Sequence, residues 1–124
     1  MNIKGDDYKI VQYQDSVISI SGKLSLMPEE YEEIAQFFKK ILESAHKEIT
    51  LDIKELAYLN SSGIKAVCVD LILQAAEIKY LKMKILCSEE YTWQKETVPT
   101  FEDLMDDLEI VFEKKQERTG NGNE

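Results

Sequence analysis

The sequence predicts an α/β domain, built from a mixed β-sheet with helices packed on it. Ile49, Leu51 and Ile53 alternate with polar residues, which is the period of a half-buried strand. From Ile64 onward apolar residues recur at helical spacing instead. Residues 82–87 then alternate again, with lysines on the polar face. Strands that alternate with helices along a chain are typical of a sheet covered by helices, so these three segments define the fold class.

The elements before the central strand have local signals of their own. Residues 8–13 and 17–20 read as two short strands, and Asp15-Ser16 favours a turn between them. Pro28 is predicted to open the first helix, because proline is favoured at the first helical position. The buried stripe of that helix is expected to consist of Tyr31, Ile34, Ala35, Phe38, Ile41 and Leu42.

The last third of the chain predicts one more helix and one more strand. Thr100 can cap a helix while Asp103 reaches back to it, an Asp form of the capping box. Residues 109–112 read as the final strand. The predicted order is therefore strand, strand, helix, strand, helix, strand, helix, strand. Residues 1–113 form the expected domain, and residues 114–124 are expected to be a charged, flexible tail.

Composition limits the classes of function. A chain of 124 residues is long enough for one domain with one core. Twenty-four acidic residues against fifteen lysines and arginines give a formal charge of -9, which repels phosphate backbones and anionic lipids. We therefore expect no nucleic acid and no membrane surface among the partners, and a protein that is a monomer when free.

Location and metal binding are constrained by what the sequence lacks. No segment approaches the roughly 20 apolar residues of a membrane span, and the start has no apolar signal-peptide core, so we expect a cytoplasmic protein. Cys68 and Cys87 lie on predicted apolar faces and are expected to be buried reduced thiols. His46 is the single histidine, and no metal-ligand spacing surrounds it. We expect no metal and no cofactor.

The turn between the central strand and the second helix is the candidate site. Asn60, Ser61 and Ser62 place an amide and two hydroxyls at a helix start, where free N–H groups and the helix dipole favour an anion. Gly63 has no Cβ, so another molecule could approach the backbone closely there. An ordinary helix cap needs one such polar residue and explains part of this run. A phosphoryl group on a serine here would be stabilised.

These residues resemble the STAS module, the group of sulfate-transporter domains and bacterial anti-sigma-factor antagonists. The resemblance spans roughly residues 8–112, and its specific part is the turn Asn60-Ser61-Ser62-Gly63-Ile64. The antagonists typically show an acidic residue, then Ser-Ser-Gly or Ser-Thr-Gly, then Leu or Ile, and the hydroxyl just before the glycine is phosphorylated. By position that hydroxyl is Ser62, with Ser61 as the alternate. Asn60 departs from the family pattern, which usually has Asp, and so loses a charge that a kinase could recognise.

The resemblance implies a non-enzymatic regulatory protein for signal transduction and transcription regulation. Unmodified protein would bind its partner through Asn60, Ser61, Ser62, Gly63 and Ile64 and the exposed part of the following helix. A protein kinase, in the family often the anti-sigma factor itself, would phosphorylate Ser62, and a serine phosphatase would reverse this. The added charge and bulk would weaken the interface, while the helix start keeps the fold intact.

Other functions remain open at this stage. The output could be a different signalling enzyme, such as one that produces a cyclic nucleotide, or the chain could be a structural subunit that is never modified. An acyl carrier protein is also small, acidic and modified on a serine at a helix start, but the alternating segments contradict its all-helical fold. A hydrolase is disfavoured because Asn60 breaks the G-x-S-x-G elbow around Ser62, and nothing orients His46 as a base.

Overall fold

The computed structural model describes residues 2–14, 16–45 and 47–114. Met1, Asp15, His46 and residues 115–124 of the predicted tail 114–124 lie outside these ranges. Within them the chain forms seven strands: β1 (Asn2–Lys4), β2 (Tyr8–Tyr13), β3 (Val17–Leu24), β4 (Glu48–Asp52), β5 (Leu56–Leu59), β6 (Lys82–Ser88) and β7 (Leu108–Glu113). The mixed α/β sheet predicted from the sequence is confirmed.

Three helices accompany the strands. Helix α1 spans Glu32–Ser44 and follows a 3₁₀ segment, Pro28–Tyr31. Helix α2 is continuous from Ser61–Lys65 through a π-helical part, Ala66–Ile72, to Leu73–Ala76. Helix α3 (Thr92–Thr97) leads into a second 3₁₀ segment, Val98–Leu104.

The sheet has the order β1-β2-β3-β4-β6-β7, and β5 also pairs with β3. The β1–β2 and β2–β3 pairs are antiparallel, and all other pairs are parallel. Strand β3 pairs with β4 along its first half and with β5 along its second half. Within the β3–β5 pairing the register shifts between Gly22 and Lys23. Gly22 has a φ of +91°, which suits glycine, and a Cβ there would meet the Asp7 carbonyl oxygen.

One face of the sheet carries the core. Alternate strand residues such as Ile18, Leu51 and Ile85 are fully buried and belong to one hydrophobic cluster with helix residues. The helical members of this cluster include Ile34, Phe37, Phe38, Ile41, Val67, Leu71 and Ala75. The helices therefore cover that face, and the stripe predicted for α1 is correct except that Phe37 belongs to the core and Ala35 is only half-buried.

Several predicted boundaries need correction. The helix predicted to start at Thr100 starts at Thr92, and Thr100 lies in the 3₁₀ segment, where its hydroxyl donates to the Thr97 carbonyl over 2.6 Å. Strands β1 and β5 add to the predicted order. Both are short and each pairs along one side only, so neither has the sustained alternation by which a strand is identified from sequence.

Candidate functional site

The candidate site lies where β5 ends and α2 begins. Leu59 is the last residue of β5, Asn60 is the cap, and Ser61 is the first residue of α2. Ser62 is the second helical residue, as the change of periodicity predicted. The Asn60 N–H donates to the Leu24 carbonyl over 3.2 Å, which joins this turn to the end of β3.

Asn60 is the helix cap by both its backbone and its side chain. Its backbone is extended, with φ -78° and ψ 173°, and its carbonyl accepts from the Ile64 N–H over 2.9 Å. Its side-chain Oδ1 accepts from the Gly63 N–H over 2.9 Å. Asn60 therefore supplies the side-chain cap of α2, and the hydroxyls of the two serines that follow do not act as caps.

Asn60 also connects the turn to the segment before α1. Its Nδ2 donates to the Leu26 carbonyl over 2.8 Å, and its Oδ1 accepts a second hydrogen bond, of 2.6 Å, from the Tyr31 hydroxyl. The Leu26 N–H donates to the same Tyr31 hydroxyl over 3.4 Å. Burial raises the pKa of the Tyr31 phenol, so this hydroxyl keeps its proton at neutral pH and acts as the donor to Asn60.

The amide of Asn60 makes a contact that an aspartate at this position could not make. An aspartate could accept from Tyr31 and Gly63, as Asn60 does, but an ionised carboxylate has no hydrogen to donate to the Leu26 carbonyl. Asn60 is therefore matched to the chain around it.

The two serine hydroxyls make no hydrogen bond with any other described part of the chain. Ser61 is exposed and Ser62 is half-buried. Their backbone N–H groups, at the first two positions of α2, likewise have no acceptor among the described residues, as is usual at a helix start. Lys65 follows on the exposed surface, three residues after Ser62 and four after Ser61, which is the spacing of neighbours on one helix face. The site thus offers two free hydroxyls beside free N–H donors and a cation.

Gly63 is buried, and the close approach expected there is intramolecular. A Cβ at this position would lie 2.6 Å from the Tyr31 hydroxyl oxygen and in collision with the Leu59 side chain. The glycine therefore lets Tyr31 reach Asn60. Its neighbour Ile64 is half-buried and packs against the core.

Exposed apolar side chains occur close in sequence to this network and along α2. Met27 and Tyr58, each a few residues from the network in sequence, are 59% and 49% exposed. On α2, Val69 and Leu73 are 39% and 38% exposed, and they continue at helical spacing from Ser61 and Lys65. Exposed apolar residues in a row on one helix face are a common feature of protein-binding surfaces.

Helix α2 departs from α-helical geometry directly after the serine turn. Residues Ala66–Ile72 are π-helical, and the Leu73 N–H bonds the Cys68 carbonyl, five residues earlier. Segments of this kind are rare and occur often at functional sites. The wider turn sets the directions in which Val69 and Leu73 leave the helix.

Two side chains with structural roles carry no signal in the sequence. Tyr31 fits the apolar stripe predicted for α1 and is buried as that stripe requires, but its hydroxyl bonds Asn60. Gln94 is the second. It is fully buried on α3, accepts from the Ser88 N–H, and donates to the Ile53 and Leu56 carbonyls. No sequence pattern marks either role, because Tyr31 lies 29 residues from Asn60, and the two carbonyls that Gln94 reaches lie 41 and 38 residues from it.

The remaining candidate residues have simple environments. Trp93 is half-buried and donates to the Leu56 carbonyl over 3.1 Å, so it anchors α3. Cys87 is buried and Cys68 half-buried, and neither forms a disulfide. Within the described ranges no three His, Cys, Asp or Glu side chains are placed to hold a metal ion. In those same ranges, no helix has the length and apolarity that a bilayer crossing demands.

The architecture is that of a small α/β domain, a mixed sheet with helices packed on it. No protein-family model matches the sequence, and no curated protein sequence matches it significantly. Solved structures do share the fold. One is a chain in the complex of the diguanylate cyclase SiaD with its activator SiaC from Pseudomonas aeruginosa, with a TM-score of 0.69 and 18% identity over 93% of this chain and 99% of that chain.

Two further structures of SiaC match similarly. The first SiaC structure from P. aeruginosa has a TM-score of 0.67 and 17% identity, covering 93% of this chain and 98% of its own. The second, of apo-SiaC, has a TM-score of 0.68 and 18% identity, covering 91% and 97%. At these identities the likeness establishes the fold.

Proposed function

We propose that this protein is a non-enzymatic regulatory protein that binds a protein partner at the start of α2 and is switched by phosphorylation of Ser62. One observation carries the proposal. Asn60 alone supplies the side-chain cap of the helix, and the hydroxyls of Ser61 and Ser62 have no hydrogen-bond partner in the described chain. A serine that is not needed for the fold can be modified without unfolding the protein. The STAS resemblance selects Ser62 over Ser61.

The binding surface in this proposal extends from the turn along α2. It comprises Asn60 to Ile64 and the exposed Lys65, Val69 and Leu73. The exposed apolar side chains of Val69 and Leu73 favour a protein partner when Ser62 is unmodified. A phosphate on Ser62 would add nearly two negative charges and three oxygens to this surface, which an apolar interface would have to desolvate. A loss of about 3 kcal/mol of binding free energy would lower the affinity about a hundredfold.

The same phosphate would be compatible with the folded state. The N–H groups of Ser61 and Ser62 are free to donate to it, the dipole of α2 favours an anion at this end, and Lys65 lies within one turn. The modification would therefore act on binding and leave the domain folded. A protein kinase and a serine phosphatase complete this scheme.

The partner could be an anti-sigma factor, as the STAS resemblance implies, or a signalling enzyme. The second candidate is favoured by one observation: the shared fold includes SiaC, which is the activator of the diguanylate cyclase SiaD and forms a complex with it. We infer that a cyclase-type enzyme is the first partner to test. An unmodified structural subunit is the remaining alternative.

The test begins with the phosphorylation site. Trypsin cleavage after Lys54 and Lys65 releases one peptide, residues 55–65, that contains both serines, and its fragment ions separate position 61 from position 62. We expect phosphate on this peptide in protein isolated from its native host, and its loss in Ser62→Ala with retention in Ser61→Ala. Phosphate at Ser61 would move the site by one residue and keep the mechanism.

The second part of the test measures the partner. Proteins that co-purify with the parent are expressed, purified and titrated against Ser62→Ala and Ser62→Asp, and any cyclase among them is assayed with and without each variant. Ser62→Ala should bind like the parent, and Ser62→Asp should bind more weakly because a carboxylate carries part of the charge of a phosphate. If neither serine is modified in the host and Ser62→Asp binds like the parent, the switch is wrong and the structural-subunit alternative holds.

A further inference from the structure

A second concave surface lies between α1 and α2, away from the serine turn. It encloses about 550 Å³ and is lined by residues of both helices and by Ile78, just beyond the end of α2. Its apolar lining comes from Ala35, Leu42 and Ile78. We call this surface the α1–α2 groove. The volume lies in the range of about 300–1,000 Å³ that is typical of binding clefts.

The rim of the groove is acidic. Glu32, Glu43, Asp70 and Glu77 line it, against one cation, Lys39. Within residues 2–14, 16–45 and 47–114, the only ion pairs join Lys54 to Asp52 and Glu113, so no described cation neutralises the rim acids at ion-pair distance. The formal charge of -9 strengthens this local field. An apolar floor with an uncompensated acidic rim suits an occupant that is apolar on one face and basic at its edges.

The walls of the groove determine the backbone form of that occupant. Both walls are helices, whose backbone groups are already paired within α1 and α2. An extended peptide would find no strand edge here and would leave its own N–H and C=O groups without protein partners. The backbone groups of a helix are already hydrogen-bonded within the helix itself, and an amphipathic helix presents one apolar face. Helix α1, with 13 residues, offers a wall of about 20 Å, or some three to four helical turns.

We propose that the α1–α2 groove binds a basic amphipathic helix of a partner protein. Leucine-like side chains of that helix lie over Ala35 and Ile78, and its lysines or arginines pair with Asp70, Glu77 and the acids of α1. The proposal does not depend on phosphorylation of Ser62. The groove uses a different face of α2 from Lys65, Val69 and Leu73, so one partner could contact both surfaces or two partners one each.

The probe is a synthetic capped peptide of about 18 leucine and lysine residues, with leucines at heptad positions a, d and e so that one face is apolar. The control peptide has the same composition in an order that gives no apolar face. Titrations by fluorescence anisotropy use the full chain at about 0.15 M salt, where non-specific attraction to a protein of this charge is screened. We expect the amphipathic peptide to bind and the control peptide to bind at least about tenfold more weakly.

Matched variants test whether binding occurs in the groove. The double substitution Asp70→Asn with Glu77→Gln neutralises the rim, and Glu96→Gln with Glu102→Gln removes the same charge from exposed positions elsewhere. The rim variant should weaken binding about fivefold, and the control variant less than about twofold. Ala35→Gln fills the floor with neutral volume and should weaken binding about tenfold while keeping the circular-dichroism spectrum of the parent.

Amide chemical-shift mapping locates the peptide directly. We expect the largest shifts on the facing sides of α1 and α2. Equal binding of both peptides, equal effects of the two double variants, or shifts centred on Ser61 and Ser62 would each overturn the proposal. So would a dimer of this chain, detected by sedimentation, that Ala35→Gln dissociates, because the groove would then be filled by a second copy.

Discussion

The Tyr31 hydroxyl donates a 2.6 Å hydrogen bond to Oδ1 of Asn60. This contact joins the 3₁₀ segment that precedes α1 to the N-terminal cap of α2. The two residues are 29 positions apart in the sequence. Asn60 Oδ1 also caps the Gly63 N–H, so the phenol and the helix start share one acceptor atom. The position of the candidate serines therefore depends on a residue that precedes α1.

Replacing Asn60 by Asp should destabilise the protein at neutral pH. The carboxylate cannot donate to the Leu26 carbonyl, now 2.8 Å away, and two acceptors would face each other. A charge at the helix start offsets part of this loss, so we expect the free energy of unfolding to fall by about 1–2 kcal/mol. Urea unfolding of Asn60→Asp and the parent at about pH 7 measures it.

The same pair measured near pH 4 provides the control. Once protonated, the carboxyl group of the Asn60→Asp variant has a hydrogen to donate, so the difference between variant and parent should shrink as the pH falls through the carboxyl pKa. A difference that is independent of pH would show that the Leu26 contact does not explain the asparagine.

Replacing Gly63 by Ala should also destabilise, against the usual trend for helices. Alanine is favoured over glycine within a helix by about 1 kcal/mol. Here the added methyl would collide with Leu59 and lie 2.6 Å from the Tyr31 hydroxyl oxygen, and such overpacking costs about 1–3 kcal/mol. We expect a lower thermal midpoint for Gly63→Ala, with the exposed Ser61→Ala as a control close to the parent. A stabilised Gly63→Ala would mean that Tyr31 can move away without loss.

Tyr31→Phe should lower stability and also change its dependence on alkaline pH. Loss of the hydroxyl leaves Asn60 with one donor fewer and should cost about 1 kcal/mol near neutral pH. Burial raises the pKa of Tyr31 above its ordinary value of 10.0, so the folded state holds this proton more tightly than the unfolded chain. The contribution of the Tyr31 proton to the free energy of unfolding is complete below pH 10, and it is lost as the pH rises through the pKa of Tyr31 in the folded state.

The parent should therefore lose stability above about pH 10, and Tyr31→Phe should lose less of it over the same interval. Burial also raises the pKa of Tyr8, Tyr91, Cys68 and Cys87, so part of the alkaline loss will remain in the variant. Parallel curves of unfolding free energy against pH would contradict a role for the Tyr31 proton.

The two cysteines should react with thiol reagents at very different rates. Burial, together with the charge of Asp52, raises the pKa of Cys87 to about 12, and its side chain is fully buried. Burial raises the pKa of Cys68 too, but that residue is only half-buried. Because the thiolate is the reactive form, native protein near pH 8 should be labelled at Cys68 slowly and at Cys87 only on unfolding. Mass spectrometry of the labelled peptides over time measures both rates, and early labelling of Cys87 would contradict its burial.

Gln94→Leu should destabilise through a single lost acceptor. The Ile53 and Leu56 carbonyls keep other donors, from the Leu56 N–H and Trp93 respectively, but Ser88 N–H loses the Gln94 Oε1 at 2.9 Å. A buried N–H without an acceptor costs about 1–3 kcal/mol. Trp93→Phe serves as the control, since the Leu56 carbonyl retains Gln94, and it should cost less in urea unfolding than Gln94→Leu. A larger loss of unfolding free energy in Trp93→Phe than in Gln94→Leu would show that Trp93 is the main anchor of α3.

The local elements of this fold could be read from the sequence because their signals are local. The alternation at Ile49 and Leu51, and the helical spacing after Ile64, reflect which side chains face the core over consecutive residues. The helix start near Ser62 follows from the same change of period. Short elements are different: β5 has four residues and one pairing strand, and the predicted start at Thr100 followed a capping pattern that the 3₁₀ segment does not use.

By itself the sequence determined that this chain is an acidic α/β domain with two serines at the start of a helix. Only the tertiary structure decided what those serines are free to do. Tyr31 and Asn60 meet because the helices pack on the same face of the sheet, and the Oδ1 of Asn60 then accepts from both the Tyr31 hydroxyl and the Gly63 N–H, while the serine hydroxyls have no partner in the described chain. The charge of each rim residue is likewise visible in the sequence, but an acidic groove exists only where two helices bring Glu43 and Glu77 to one cleft. Periodicity reports the face on which a residue lies, whereas contacts between distant residues depend on how those faces are brought together.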